Sequence, residues 1–277
     1  MTLFHTIAAF RAWREEVSGT VGFAPTMGNL HDGHIACLKS AQINSDHSVV
    51  SIFVNPTQFA PTDDFAKYPR TLEDDLKLLE ANGCSAVFVP SVDEMYPLGA
   101  TTKVIAGSMA NGLEGDFRPG HFDGVATVCL KLFQIVQPSV VAFGNKDLQQ
   151  LRVIEQMIRD FNMPLYLEAV PTCREASGLA LSSRNRYLTP EAKVQASQLN
   201  IGLQDTLQLV LDGVSPKEAE ATTTAVLVRQ GWAVDYIAVR DAVTFQAVTS
   251  ETTELAVLGA ARLNGVRLID NITRLRA

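Results

Sequence analysis

The stretch TVGFAPTMGNLHDGHIACLKSAQ, residues 20–42, sets an apolar run against a helical pattern across a short turn that holds two glycines and two histidines. TVGFAP (20–25) reads as a buried strand, and a helix follows from about His31 to Gln42. The alternation continues outward from there. HSVVSIFVN (47–55) is a second buried strand, TLEDDLKLLEANG (71–83) a helix and CSAVFVP (84–90) a strand. Thr71 and Asp74 resemble a capping box, with Gly83 at the place of a C-cap. HFDGVATVCLKLFQIVQ (121–137) and DLQQLRVIEQMIRDFN (147–162) are helical, whereas SVVAFG (139–144) and MPLYLEAVP (163–171) are strands. Strands this apolar, separated by helices, imply a parallel sheet covered on both faces.

After about residue 176 the rhythm changes. Thr189-Pro190-Glu191 opens a helix to about Leu211 with an N-cap and a proline at its first position, and Ser215-Pro216-Lys217 repeats the device for a helix to about Gln230. WAVDYIAVR, ELAVLGAAR and GVRLIDNI follow as three strands. The expected architecture is α/β: a doubly wound, Rossmann-like domain over 1–176 and a smaller α+β lid domain over 177–277.

The chain has 277 residues, 47% of them hydrophobic, enough to bury a full core. No window approaches a membrane span, and Arg11 and Arg14 interrupt the N-terminal stretch too early for a signal peptide, so a cytoplasmic protein is expected. The four cysteines, Cys37, Cys84, Cys129 and Cys173, are scattered without a C-x-x-C pair and read as small buried hydrophobes. A net charge of −7 argues against a nucleic-acid surface but leaves room for an anionic small molecule held by local cations.

Ligands of an open parallel sheet bind at the carboxyl ends of its strands. The residues there are polar, amide or cationic: Thr26, Met27, Gly28, His31 and His34; Asn55 and Gln58; Gly144, Asn145, Lys146, Asp147, Gln149 and Gln150; then Arg174, Ser182, Ser183 and Arg184. Gly28 and Gly33 have Walker-like spacing, but His34 stands where the lysine is required, which excludes a P-loop. A glycine turn at a helix start still offers free backbone N–H groups and a positive dipole end to a phosphate. Zinc is a rival reading of the two histidines, although no third ligand lies at motif spacing, and packed or surface histidines are another. From these residues alone the three readings stand.

Six motifs narrow the choice. TMGNLHDGH (26–34), FVNPTQF (53–59), Y-P-R-T-x-x-D-D-L (68–76), L-E-G-x-x-R-P-G-H-F-x-G-V (113–125), F-G-N-K-D-x-Q-Q (143–150) and G-L-A-L-S-S-R-N-x-Y-L (178–188) are, in that order, similar to those of the pantothenate synthetase family. This family joins (R)-pantoate to β-alanine at the expense of ATP and belongs to the nucleotidyltransferase superfamily with the HIGH signature. The resemblance implies a homodimer with ATP as substrate and Mg²⁺ as cofactor. It implies His34 as proton donor, with His31, Lys146 and Arg184 as further catalytic groups at the phosphates. It places Met27, Gly28, Asn29, Leu30, Asp32 and Gly33 on the nucleotide, and also Gly144, Asn145, Asp147, Cys173, Leu181, Ser182 and Ser183. Gln58 and Gln150 match the glutamines that grip pantoate, with Asn55 and Arg118 beside the substrates.

Asp74 and Asp75 lie where the family places Mg²⁺ ligation, and a solvated first helical turn explains acidic residues there equally well. His121 follows the R-P-G-H-F stretch, where a histidine opening a helix caps or packs. Asn145 stands where the family commonly has Glu, and Ser177 where an acidic residue is common. A nucleotidyltransferase acting on a phosphorylated acceptor would want basic residues at Gln58 and Gln150. A binding protein without catalysis would not need His31, His34, Lys146 and Ser182 to Arg184 together, and a zinc hydrolase would carry stoichiometric metal.

Overall fold

The computed structural model describes residues 1–59, 65 and 68–276. The chain divides into two units, Met1–Asn145 with Gln149–Pro171, and Lys146–Leu148 with Thr172 onward. The second thus begins a few residues ahead of Ser177 and also takes in the short segment around Lys146.

In the first unit the strands are β1 (Thr2–Phe4), β2 (Val21–Thr26), β3 (His47–Ile52), β4 (Ala86–Phe88), β5 (Val140–Gly144) and β6 (Tyr166–Val170). They form one sheet in the order β1-β4-β3-β2-β5-β6, every described pairing parallel. The helices are α1 (Ile7–Glu16), α2 (Asp32–Ile43), α3 (Leu72–Ala81), α4 (Val92–Met95), α5 (Glu114–Phe117), α6 (His121–Val136) and α7 (Leu148–Asp160).

Alternation along the strands builds two cores. Ala24, Val50 and Val87 meet Leu38 of α2 and Leu79 of α3 on one face. On the other, Phe23 and Phe143 stand edge-on to Phe133 of α6 at 6.4 and 6.5 Å, and Phe88 packs on Phe10 of α1 at 5.3 Å. Phe10, Phe23, Phe88, Leu38 and Leu79 are almost fully buried, each contributing about 1.5–3 kcal/mol of transfer free energy. The doubly wound sheet expected from the sequence is present, extended at one edge by β1 and α1.

The second unit has α8 (Pro190–Ala196), α9 (Gln198–Leu211) and α10 (Pro216–Arg229) with an antiparallel sheet β7-β8-β9, over Ala233–Asp241, Glu254–Leu263 and Val266–Leu275. Thr189 and Ser215 cap α8 and α10 by accepting from the N–H of Ala192 and Glu218. Leu199, Leu203, Leu227, Trp232 and Val257 lie in its core. The single helix expected from Thr189 to Leu211 is two helices. They meet at Ser197, whose hydroxyl donates to Val194 O at 2.7 Å, a local alternative to the helical ladder.

Only Cys84 and Cys129 are buried as expected, whereas Cys37 and Cys173 are half-buried. Among the described residues no helix is long and apolar enough to cross a membrane.

Candidate active site

The turn between β2 and α2 is held from both sides. Thr26 Oγ1 donates to Ser51 O at 2.7 Å and accepts from the N–H of Gly28 at 3.2 Å. Gly28 (φ 81°) and Asn29 (φ 52°) are both left-handed, and a Cβ on Gly28 would press to 3.0 Å on Asp75 Oδ2. Asp75, 3% exposed, accepts at Oδ2 from Asn29 N–H (2.9 Å) and at Oδ1 from Leu30 N–H (2.8 Å) and Thr71 Oγ1 (3.2 Å). The Thr71 hydroxyl is therefore spent on Asp75, and the capping box expected at Thr71 and Asp74 does not form.

The capping box lies instead on α2 and is made of imidazoles. His31 is the N-cap, and its Nδ1 accepts from Gly33 N–H at 3.1 Å. Reciprocally, His34 Nδ1 accepts from His31 N–H at 3.2 Å, and the two rings lie 4.1 Å apart between centroids. A neutral imidazole that accepts at Nδ1 carries its proton at Nε2. Both rings are thus set as Nε2–H donors by the bonds that start the helix.

This arrangement takes up most of the backbone N–H groups that the sequence offers to a phosphate. The N–H groups of Gly28, Asn29, Leu30, His31, Gly33, His34 and Ile35 all go to protein acceptors. What the turn offers an anion is the imidazole pair.

After β3 a 3-10 turn, Pro56–Gln58, presents Gln58 beside the same loop: its Nε2 donates to Met27 Sδ at 3.2 Å. Asn55 organises this turn. Its Nδ2 donates to Gln58 Oε1 (3.0 Å) and Gly124 O (3.2 Å), and its Oδ1 accepts from Thr57 N–H, Thr57 Oγ1 and Tyr96 OH. Burial pushes the Tyr96 phenol up from its usual range, which keeps it a donor. At 1% exposure and with its amide fully used, Asn55 holds Gln58 in place.

His121, the first residue of α6, is buried and bridges. Arg118 Nη1 donates to His121 Nε2 at 3.0 Å, so the Nδ1–H is left to donate to Gln58 O at 2.9 Å. Loop, imidazoles, Gln58 and Arg118 form one bonded constellation. Gln149 is drawn away from it: 3% exposed, it donates to Met109 O and Gly112 O and accepts from Glu114 N–H. Gln150, next to it on α7, is half-buried. Asp74 is largely exposed and 3.7 Å from Lys77.

In the second unit, Lys146 Nζ lies 3.7 Å from Asp147 Oδ2, and its carbonyl accepts from Asn271 Nδ2 at 2.8 Å. Asp270, buried beside Asn271, takes Arg174 through both guanidinium nitrogens at 2.7 and 2.9 Å and Asn200 Nδ2 at 3.1 Å. Arg174 is thus internal scaffolding. A turn closed by Leu181 N–H on Cys173 O leads to Ser182, which caps a 3-10 turn by accepting from Arg184 N–H. Arg184 itself is exposed. Sequence reasoning missed Asp270, Asn271 and Asn200; the adjacent Asp270-Asn271 pair between Ile269 and Ile272 was the available signal.

The family described as Pantoate-beta-alanine ligase matches residues 2–273. A pantothenate synthetase of Acidothermus cellulolyticus is 46% identical over 276 residues, covering 98% of this chain and 91% of that protein. One from Shewanella amazonensis is 49% identical, covering 95% and 94%. The crystal structure of pantothenate synthetase from Thermus thermophilus superposes with a TM-score of 0.91 at 42% identity, over 98% of this chain and 99% of that one. A pantoate-beta-alanine ligase from Francisella tularensis, complexed with beta-gamma ATP and beta-alanine, gives 0.82 at 35%, over 100% and 98%. By family match, sequence identity and fold, the chain is an enzyme that belongs to the pantoate-beta-alanine ligase family.

Proposed function

We propose that the enzyme condenses (R)-pantoate with β-alanine in two steps. A pantoate carboxylate oxygen attacks the α-phosphorus of ATP, the bond to the bridging oxygen breaks, and pyrophosphate leaves. The β-alanine amine then attacks the acyl carbon of pantoyl adenylate, the acyl–phosphate bond breaks with AMP as leaving group, and the amine gives up a proton. Family membership supports pantothenate formation from these substrates. The ATP and β-alanine carried by the Francisella relative support those two as ligands here.

The observation that carries the reading is the imidazole pair locked as Nε2–H donors at the start of α2. Charge builds on the phosphate oxygens as pyrophosphate departs, and donors fixed beforehand stabilise it without reorganisation. His34 takes the proton-donor role, with His31 beside it. By resemblance Lys146, Ser182, Ser183 and Arg184 serve the phosphates, and Met27, Gly28, Asn29, Leu30, Asp32, Gly33, Gly144, Asn145, Asp147, Cys173 and Leu181 the nucleotide. Gln58 and Gln150 hold pantoate. The thioether that accepts from Gln58 Nε2 is a weak acceptor, which a hydroxyl or carboxylate oxygen of pantoate replaces favourably. Arg118 acts on Gln58 through His121.

Mg²⁺ is implied by the resemblance, yet Asp74 and Asp75 do not fit as its ligands. Asp74 faces solvent near Lys77, and both oxygens of Asp75 already accept from the protein. Among the described residues no group of three or more His, Cys, Asp or Glu side chains could hold a metal. A homodimer and a cytoplasmic location are inferred from the resemblance.

The deciding assay is pyrophosphate release with ATP, Mg²⁺ and pantoate, with and without β-alanine. Pantoate-dependent pyrophosphate without β-alanine, and AMP release once it is added, are expected; a signal independent of pantoate refutes the reading.

A further inference from the structure

We infer that Asp75 is a positioning residue for the His31/His34 pair and not a cation ligand. The inference rests on the reading that those imidazoles serve the ATP phosphates. A carboxylate offers about four lone-pair sites. Three are taken at 2.8–3.2 Å by Asn29 N–H, Leu30 N–H and Thr71 Oγ1. With the side chain 3% exposed, ligating a cation would strip acceptors from two backbone N–H groups of the loop. Mg²⁺ further demands near-octahedral oxygens at about 2.1 Å.

Asp74 cannot complete such a site, because adjacent residues on a helix do not face each other. The cavity of about 250 Å³ that borders Asp75 is lined by Arg70 as well as Met27, Gly28 and Thr71, and a guanidinium there opposes a second cation.

What the carboxylate does is hold the two left-handed residues in place. Gly28 and Asn29 turn the chain at φ 81° and 52°, a region that glycine and asparagine adopt more readily than other residues, and the carboxylate selects it by accepting from the amides on either side of Asn29. Asp75 clamps the amides of Asn29 and Leu30, and the next residue is the His31 N-cap, whose own N–H goes to His34 Nδ1. A continuous run of bonds leads from α3 to the catalytic ring. Loss of the clamp lets that ring move, and a shift of about 1 Å at a reacting group costs on the order of 10²-fold.

The test compares wild type with Asp75→Asn, Asp75→Glu and Thr71→Val. Glu retains a charge able to hold Mg²⁺ but moves it off the two amides, so positioning predicts that Glu fails as Asn does, each losing roughly 10–100-fold in kcat/KM for ATP. The Mg²⁺ concentration for half-maximal rate stays within about twofold of wild type. In Mg²⁺-free, ATP-free buffer, Asp75→Asn lowers Tm by about 5 °C or more, and amide exchange at Asn29 and Leu30 accelerates. Thr71→Val, which leaves the carboxylate and both amide bonds, shows the same changes more weakly. A right-shifted Mg²⁺ dependence in Asp75→Asn that Asp75→Glu restores, with unchanged exchange at Asn29 and Leu30, overturns the inference. Stability and exchange need no substrate, so they decide the clamp even if pantoate-dependent pyrophosphate release fails.

Discussion

Gly124 is the narrowest point between α6 and the turn that carries Gln58. A Cβ there would lie 2.2 Å from Thr57 O, 2.5 Å from Thr57 C and 2.7 Å from Gln58 N, all backbone atoms with no side-chain rotamer to yield. Ordinary non-bonded contacts begin near 3.5 Å, so Gly124→Ala must push helix and turn apart by about 1 Å. Overpacking of this kind costs about 1–3 kcal/mol, while the same substitution in a helix interior gains roughly 0.5–1 kcal/mol. The clash therefore wins, and a net loss of about 1–2 kcal/mol is expected from urea unfolding. The displacement falls on Gln58, because Asn55 Nδ2 joins Gln58 Oε1 to Gly124 O. Steady-state pyrophosphate release should show kcat/KM for pantoate reduced about 10-fold or more, with kcat/KM for ATP less affected. Gly202→Ala is the control: its Cβ meets only side chains, the nearest Thr223 Cγ2 at 3.0 Å, and pantoate kinetics should stay at wild type. Stabilisation of Gly124→Ala by the helix-propensity amount, with unchanged pantoate kinetics, would refute the close-approach argument.

Burial raises the thiols of Cys84 and Cys129 to about 11 and about 12. Their thiolate fractions at pH 8 are ~10⁻³ and ~10⁻⁴, so native alkylation followed by mass spectrometry should mark Cys37 and Cys173 alone, and early labelling of Cys129 would contradict its burial. Arg174→Ala strands the buried Asp270 carboxylate and should cost about 3–5 kcal/mol in denaturant unfolding; Arg174→Lys should recover only part, since an ammonium lacks the two-pronged fork. Gln150→Ala should raise KM for pantoate more than KM for ATP, and equal effects on both would remove Gln150 from the pantoate site.

The strand–helix alternation was legible because it is periodic. Phe23 and Ala24 had to point to opposite faces, and both faces are covered. The N-terminal strand and helix, Thr2–Phe4 and Ile7–Glu16, escaped because the stretch was weighed only as a signal peptide, although Phe4, Phe10 and Trp13 cluster there. Ser197 breaks a helix that the pattern carries straight through, since only its hydroxyl's local bond marks the join. The site residues were legible as types and illegible as roles. Asp75 reaches amides 45 and 46 residues away and Arg174 reaches Asp270 across 96, distances at which only the fold decides who pairs with whom. Asn55 and Gln58 look alike in sequence. In the structure one amide is saturated and the other is held by a weak sulfur contact.

A phosphate site made of main-chain N–H groups would leave the histidines free to be structural; here most of the N–H groups of the turn already have protein acceptors, and under the proposed function the imidazoles carry both tasks. Cap and donor can nonetheless be separated at His31. Serine is among the best N-cap residues and can accept the same helix N–H groups, whereas alanine at this place costs about 0.5–2 kcal/mol. His31→Ser should hold its stability within about 0.5 kcal/mol of wild type, and His31→Ala should fall by about 1 kcal/mol. The bond from the N–H of residue 31 to His34 Nδ1 belongs to the backbone and survives in both. If His31 donates to a phosphate, both variants lose adenylate formation by a similar factor, on the order of 10²-fold, despite their different stabilities. If it serves only as a cap, His31→Ser turns over at the wild-type rate, and the catalytic role passes to His34 alone.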